Sequence, residues 1–197
     1  MIVGIDFDNT IVDYTGVFFQ VARQQDLIPD SVGTSKEAVK SYLIEDGRER
    51  DWTILQGEVY GKHIHLAKIY PGITELLVFL EKRNIPYYIV SHKTKHPVIG
   101  EAYDLHAFAI SFLESIFAQF TITKDHVYFE PTMEAKSHRI KTLQCTHFID
   151  DLEKFLQHPS FPESCCKVHF SPDTPSGLHI SFSNHIEILH FLQEQYG

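Results

Sequence analysis

Five short runs, residues 2–7, 86–90, 126–129, 146–149 and 167–170, are apolar nearly throughout instead of alternating with polar residues, and each stops at a polar residue or a turn. A strand that is apolar on both sides must be covered on both faces, as in a parallel sheet. Stretches of helical period fill the gaps. Ile73, Leu76, Leu77 and Leu80 make one stripe behind Pro71 and Gly72, and residues 97–120 are long enough for a helix or a broken pair. Residues 132–143 and 152–157 follow as helices, and 184–196 closes with Asn184 placed as an N-cap before Ile186, Leu189, His190 and Leu192. Strands alternating with helices predict an α/β fold with right-handed crossovers and a mostly parallel central sheet of about five strands.

One connection breaks this rhythm. The first strand ends near Phe7, but the helix leading to the second begins only near Gly72, which is far more chain than one crossover uses. Residues 14–68 are therefore expected to be an insertion, with helices at 14–25, 35–45 (Ser35 or Thr34 as cap) and about 49–64 around Trp52, Leu55 and Val59. Sites in such sheets lie beyond the carboxyl ends of the strands, so an insertion after the first strand reads as a lid. Trp52 and Tyr60 are expected either to shape a substrate pocket or to pack the helices. Loops rich in Pro and Ser are expected at 161–166 and 171–177.

Charge narrows the partners. The chain carries 26 Asp and Glu against 17 Lys and Arg, a formal net charge of −9, which argues against a broad nucleic-acid surface. Cys145, Cys165 and Cys166 are odd in number and make no disulfide framework. The opening run meets Asp6 after five residues, which does not fit a signal peptide, and no run reaches the roughly 18 apolar residues of a membrane span. The expectation is a cytoplasmic protein without membrane or nucleic-acid partners. Oligomeric state is left open.

The chemistry concentrates at two strand ends. Asp6 and Asp8, with Thr10 after them, follow the first apolar strand, and Asp150 and Asp151 follow His147-Phe148-Ile149. Asp is also a common turn residue and helix N-cap, so one such pair alone would signify little. Two pairs on neighbouring strands would bring at least three negative charges together, which is unfavourable without a cation. Oxygen-only donors suit Mg²⁺. Ser91, the first polar residue after the second strand, and Lys136, at the start of the helix before Asp150, fit the same site. His92, Lys93, Lys95 and His96 add local positive charge. The spacing of His63 and His65 lacks companions for a zinc site, and Cys165 and Cys166 read as small apolar residues.

Together these residues resemble the haloacid dehalogenase (HAD) superfamily of aspartate-nucleophile hydrolases. Asp6-Phe7-Asp8-Asn9-Thr10 is similar to its first motif, Tyr88-Ile89-Val90-Ser91 to its second, Lys136 to its third and Phe148-Ile149-Asp150-Asp151 to its fourth, in order over residues 2–151. Asn9 stands where Gly is usual. Lys136 lies only 14 residues before Asp150, which makes Lys124 a rival for its role. The resemblance implies a Rossmann-like three-layer sandwich, with residues 1–13 and 69–197 as the catalytic core and 14–68 as a small helical cap. It implies a Mg²⁺-dependent phosphatase acting on a small phosphorylated metabolite. Asp6 would be the nucleophile and Asp8 the acid and base, and that second acid favours phosphoryl transfer over dehalogenation. Asp6, Asp8 through its backbone carbonyl, Asp150 and Asp151 would hold the metal, while Thr10, Ser91, His92 and Lys136 would bind the phosphate. A phosphotransferase or mutase with the same aspartyl-phosphate, and a non-catalytic phosphate-binding or signalling domain, are the alternatives. The long insertion argues against the last.

Overall fold

In a computed structural model describing residues 1–120, 122–172 and 180–196, the chain opens with β1 (Val3–Ile5), β2 (Val12–Asp13), α1 (Val17–Gln24), α2 (Lys36–Glu45) and α3 (Glu49–Tyr60). There follow β3 (Lys68–Ile69), α4 (Ile73–Lys82), β4 (Tyr87–His92), α5 (Leu105–Ile116), β5 (Val127–Glu130) and α6 (Met133–Thr142). The remainder is β6 (His147–Asp150), α7 (Glu153–Leu156), β7 (Cys166–Phe170), β8 (Ser181–Phe182) and α8 (His185–Tyr196). The loop expected at 171–177 lies outside the described residues from 173 onward. Two compact units emerge: Met1–Val12, Ile69–Lys93 and Phe117–Gly197 form the first, and Asp13–Lys68 with Thr94–Ile116 form the second.

The first unit is built on a six-stranded sheet in the order β5-β4-β1-β6-β7-β8, with every neighbouring pair parallel. All five apolar runs became strands of this sheet. β8 was not expected, because two residues, one of them Ser, carry no period. Successive side chains of a strand point to opposite faces. Phe148 of β6 packs with Ile140, Phe155, Leu156 and Phe161 on the face covered by α6 and α7. His147 meets Phe191 of α8 on the other, and α8 packs against α4. Helices on both faces make three layers, an α/β Rossmann-like sandwich. Each fully buried Phe or Leu here contributes roughly 1.5–3 kcal/mol. Gly4 of β1 lies opposite Phe148, where a Cβ would stand 2.4 Å from the ring, so only glycine fits. On α8 the buried stripe is His185, Ile188 and Leu192; of the expected pattern Leu192 is buried and Leu189 half-buried, while Ile186 and His190 are exposed.

The second unit is helical. Ser35 caps α2, its hydroxyl accepting the Ala38 N–H at 3.0 Å, and Val39, Leu43, Trp52, Leu55 and Val59 are buried. Trp52 packs on Phe18 with ring centroids 5.3 Å apart, and Tyr60 accepts a hydrogen bond from Lys36 Nζ at 2.8 Å. Helix packing thus engages both aromatic residues. Residues 94–116 were expected in the core but belong to this unit. Gly100 at φ 95 keeps the start of that segment in a loop, and α5 begins where Asp104 accepts the Ala107 N–H at 3.0 Å. α5 then buries Leu105, Ala109, Phe112 and Leu113 and packs on α3. Gly57 of α3 permits the close approach of Pro97, whose Cβ would stand 2.7 Å from a Cβ there. Among the described residues, no helix is long and apolar enough to cross a membrane.

Candidate active site

The sheet order grows outward in both directions from β1 and β6, and ligands of such folds bind beyond the carboxyl ends of the strands where that reversal occurs. The acidic residues stand there. The β1–β6 pairing runs one residue past β1, as the Asp6 N–H donates to the Ile149 carbonyl at 2.9 Å. Asp150 is the last residue of β6. One carboxylate oxygen from each of Asp6, Asp150 and Asp151 lies within 4.8 Å of the others.

Lys136 enters this group from the first turns of α6, whose N-cap Thr132 accepts the Ala135 N–H at 3.1 Å. Its ammonium is buried, 2.6 Å from Asp6 Oδ1 and 2.5 Å from Asp150 Oδ2, and lies over the Phe155 ring at 4.2 Å. Lys124 is exposed in the turn Lys124–His126, so Lys136 is the lysine at the carboxylates. Thr10 is fully buried. Its Oγ1 accepts the Asp151 N–H at 3.1 Å and donates to Asp151 Oδ1 at 3.3 Å, which ties the two acidic loops together. Asn9, in place of the usual Gly, sits at φ 60, a left-handed conformation that Asn tolerates well.

The remaining assignments divide. Ser91 is buried on β4 beside β1, two residues beyond the Ile5–Ile89 pair and at the same edge of the sheet. The Asp8 carboxylate is not part of the three-carboxylate group but pairs with Lys93 Nζ at 2.8 Å. His92 is exposed, with Nε2 at 3.1 Å from the Pro131 carbonyl, and is not brought to the acidic group. Strand alternation explains this: β4 runs on through His92, so Ser91 and Lys93 turn inward and His92 outward. Lys93 had been read only as one charge of a basic loop. Recognising that the strand continues past Val90 would have singled it out.

Burial, set against the nearby Lys136 charge and reinforced by Asp150, raises the Asp6 carboxyl to about 7. Burial and then the charges of Asp6 and Asp150 raise Asp151 to about 8. For Lys136, burial opposes the charge, but Asp150 and Asp6 outweigh it and hold the ammonium above its usual range. Burial is thus the main cause of both shifts, and the neighbouring carboxylates add to it. An oxygen-only donor set with excess negative charge fits a hard divalent cation such as Mg²⁺.

No protein-family model and no curated protein sequence matches the chain. Solved structures do match its fold. A HAD-superfamily hydrolase from Ehrlichia chaffeensis is 21% identical with a TM-score of 0.56, over 99% of this chain and 97% of that one. A predicted phosphatase from Clostridium acetobutylicum is 16% identical with a TM-score of 0.61, over 98% of both chains. A HAD family hydrolase from Deinococcus radiodurans with bound phosphate and sodium is 15% identical with a TM-score of 0.54, over 98% of this chain and 94% of that one. The sheet order, the helices on both faces and these likenesses along nearly the whole chain agree, and the fold is that of the HAD-superfamily hydrolases.

Proposed function

We propose that this chain is a Mg²⁺-dependent phosphohydrolase that cleaves a small phosphorylated metabolite through an aspartyl-phosphate on Asp6. The observation that carries the reading is the convergence of Asp6, Asp150 and Asp151 with the Lys136 ammonium at the carboxyl edge of β1 and β6. Asp6, Asp150 and Asp151, with the main-chain carbonyl of Asp8, would hold the cation, which would screen the phosphate charge that otherwise repels a carboxylate nucleophile. An Asp6 oxygen attacks phosphorus as the bond to the leaving oxygen breaks, and the Asp8–Lys93 pair supplies the proton that the leaving oxygen takes up. Asp8 then takes a proton from water, whose oxygen attacks phosphorus. The bond to Asp6 breaks, releasing inorganic phosphate and restoring the carboxylate. Lys136 neutralises Asp6 as the phosphate approaches, Ser91 is assigned to hold its oxygens, and Thr10, whose hydroxyl already donates to Asp151, serves by fixing the Asp151 loop. The phosphate in the Deinococcus radiodurans structure and the phosphatase description of the Clostridium acetobutylicum protein support this choice of substrate class. The helical unit is read as the cap expected from the insertion, the part that selects the substrate.

The test is phosphate release from a generic aryl phosphate with and without Mg²⁺. Asp6→Asn is expected to lose activity by about a thousandfold or more, as losing a covalent nucleophile does elsewhere. Near wild-type activity in that variant would remove Asp6 from the mechanism.

A further inference from the structure

Two buried histidines that the proposed chemistry does not use stand behind the acidic loops. His169 of β7 directs Nε2 to the main-chain carbonyl of Asp151 at 3.0 Å and Nδ1 to Oγ of Ser181, its register partner on β8, at 3.1 Å. His185, the first residue of α8, directs Nε2 to the main-chain carbonyl of Thr10 at 2.8 Å, and its ring stacks on Phe170 at 4.4 Å. A carbonyl can only accept, so Nε2 carries the hydrogen in both rings. In His169 the other nitrogen then accepts from the Ser181 hydroxyl. In His185 it is buried with no hydrogen-bond partner among the described residues. An unpaired buried nitrogen is unfavourable, and an apolar ring would fill the same slot without it. What histidine adds there is the bond to Thr10.

Thr10 and Asp151 are the two residues that tie the acidic loops to each other through the Thr10 hydroxyl. Asp151 is thus held at its N–H, its carbonyl and one side-chain oxygen, and Thr10 at its carbonyl and its hydroxyl. We propose that His169 and His185 are positioning residues for the cation site, fixing Asp151 and Thr10 so that the three carboxylates converge. The inference rests on the Mg²⁺ reading above. Outer partners of metal ligands are typically worth 10- to 100-fold in affinity.

The test is calorimetric titration of the full chain with Mg²⁺ at a temperature where circular dichroism shows each variant folded. His169→Phe and His185→Phe are expected to bind Mg²⁺ about tenfold more weakly or worse. His169→Gln and His185→Gln, whose amide N–H donates to the same carbonyls, are expected to stay within about threefold of wild type. Ser181→Ala, which leaves the His169 ring in place but removes the partner of Nδ1, is expected to weaken binding by about threefold. Wild-type affinity in both Phe variants overturns the proposal while the metal reading stands. Should the Phe variants not fold, unchanged affinity in Ser181→Ala overturns the role of His169. A wild-type chain that binds no Mg²⁺ overturns the metal reading itself, and the proposal with it.

Discussion

Replacing Lys136 by Met keeps the aliphatic stem and removes only the ammonium. In the native protein that ammonium is buried, 2.6 Å from Asp6 and 2.5 Å from Asp150, with aromatic rings beneath it. The variant leaves two buried carboxylates facing each other without compensation, and removing one member of a buried ion pair costs about 3–5 kcal/mol. For a chain of this length each kcal/mol lowers Tm by about 2–4 °C, so a drop of roughly 6–20 °C is expected in a thermal melt with EDTA present. Two further measurements identify the cause. Asp150→Asn in the Lys136→Met background removes one of the stranded charges and should recover part of the loss, so the two changes are non-additive. Mg²⁺ should stabilise Lys136→Met, by about 2.7 kcal/mol at one hundred times its Kd. A cost below about 1 kcal/mol, or strict additivity with Asp150→Asn, would show that the ammonium does not neutralise this group, and the electrostatic reasoning would fail.

Gly4→Ala places a methyl 2.4 Å from Phe148 and 3.2 Å from Cys145 Sγ, and this overpacking should cost about 1–3 kcal/mol in a denaturant melt; an unchanged midpoint would mean the sheet gives way more easily than its packing implies. The pH dependence has two limbs. Asp6 and Asp151 are raised in the folded state, so the stability they lend is complete below their ordinary values near 4 and is lost as pH rises through about 7 and about 8. The metal-free Tm should therefore fall up to about pH 8, most clearly from about 6.5, where the opposing His185 contribution is complete, and Mg²⁺ should restore it. Burial lowers His185 to about 4, so its contribution is present above its ordinary 6.5 and is lost as pH falls toward 4, a change of up to about 3 kcal/mol that His185→Phe should flatten. Melts that are flat across either range would contradict the corresponding burial.

The strands were legible because a run that is apolar on both sides has few homes besides the interior of a parallel sheet. β8 and the short strands β2 and β3 were not, since two residues establish no period. A helix within residues 97–120 was expected from length alone, which does not name its partner, and α5 joined the second unit. In the site, Asp6, Thr10, Lys136, Asp150 and Asp151 could be picked out because each follows or precedes a strand end, and parallel topology brings such ends to one edge. His92 was assigned to the phosphate and Lys93 left in a basic loop because the strand was ended at Val90; carried on through His92, its alternation turns Ser91 and Lys93 in and His92 out. His169 and His185 carried no signal, because their role depends on carbonyls brought near only by β7 and α8 packing.

Four carboxylates, Asp6, Asp8, Asp150 and Asp151, meet two buried ammonium groups, Lys93 and Lys136, which leaves a formal excess of two negative charges. Burial first, with the neighbouring carboxylates adding to it, raises Asp6 and Asp151 toward neutrality. A divalent cation cancels the same excess without protons. On the proposed reading a bound cation would leave Asp6 ionised, as the nucleophile role requires, and would present a phosphate ester with a site near neutral rather than doubly negative. The net charge of −9 on the whole chain would then be no obstacle to an anionic substrate, because the two lysines and a bound cation would set the local field at the proposed site.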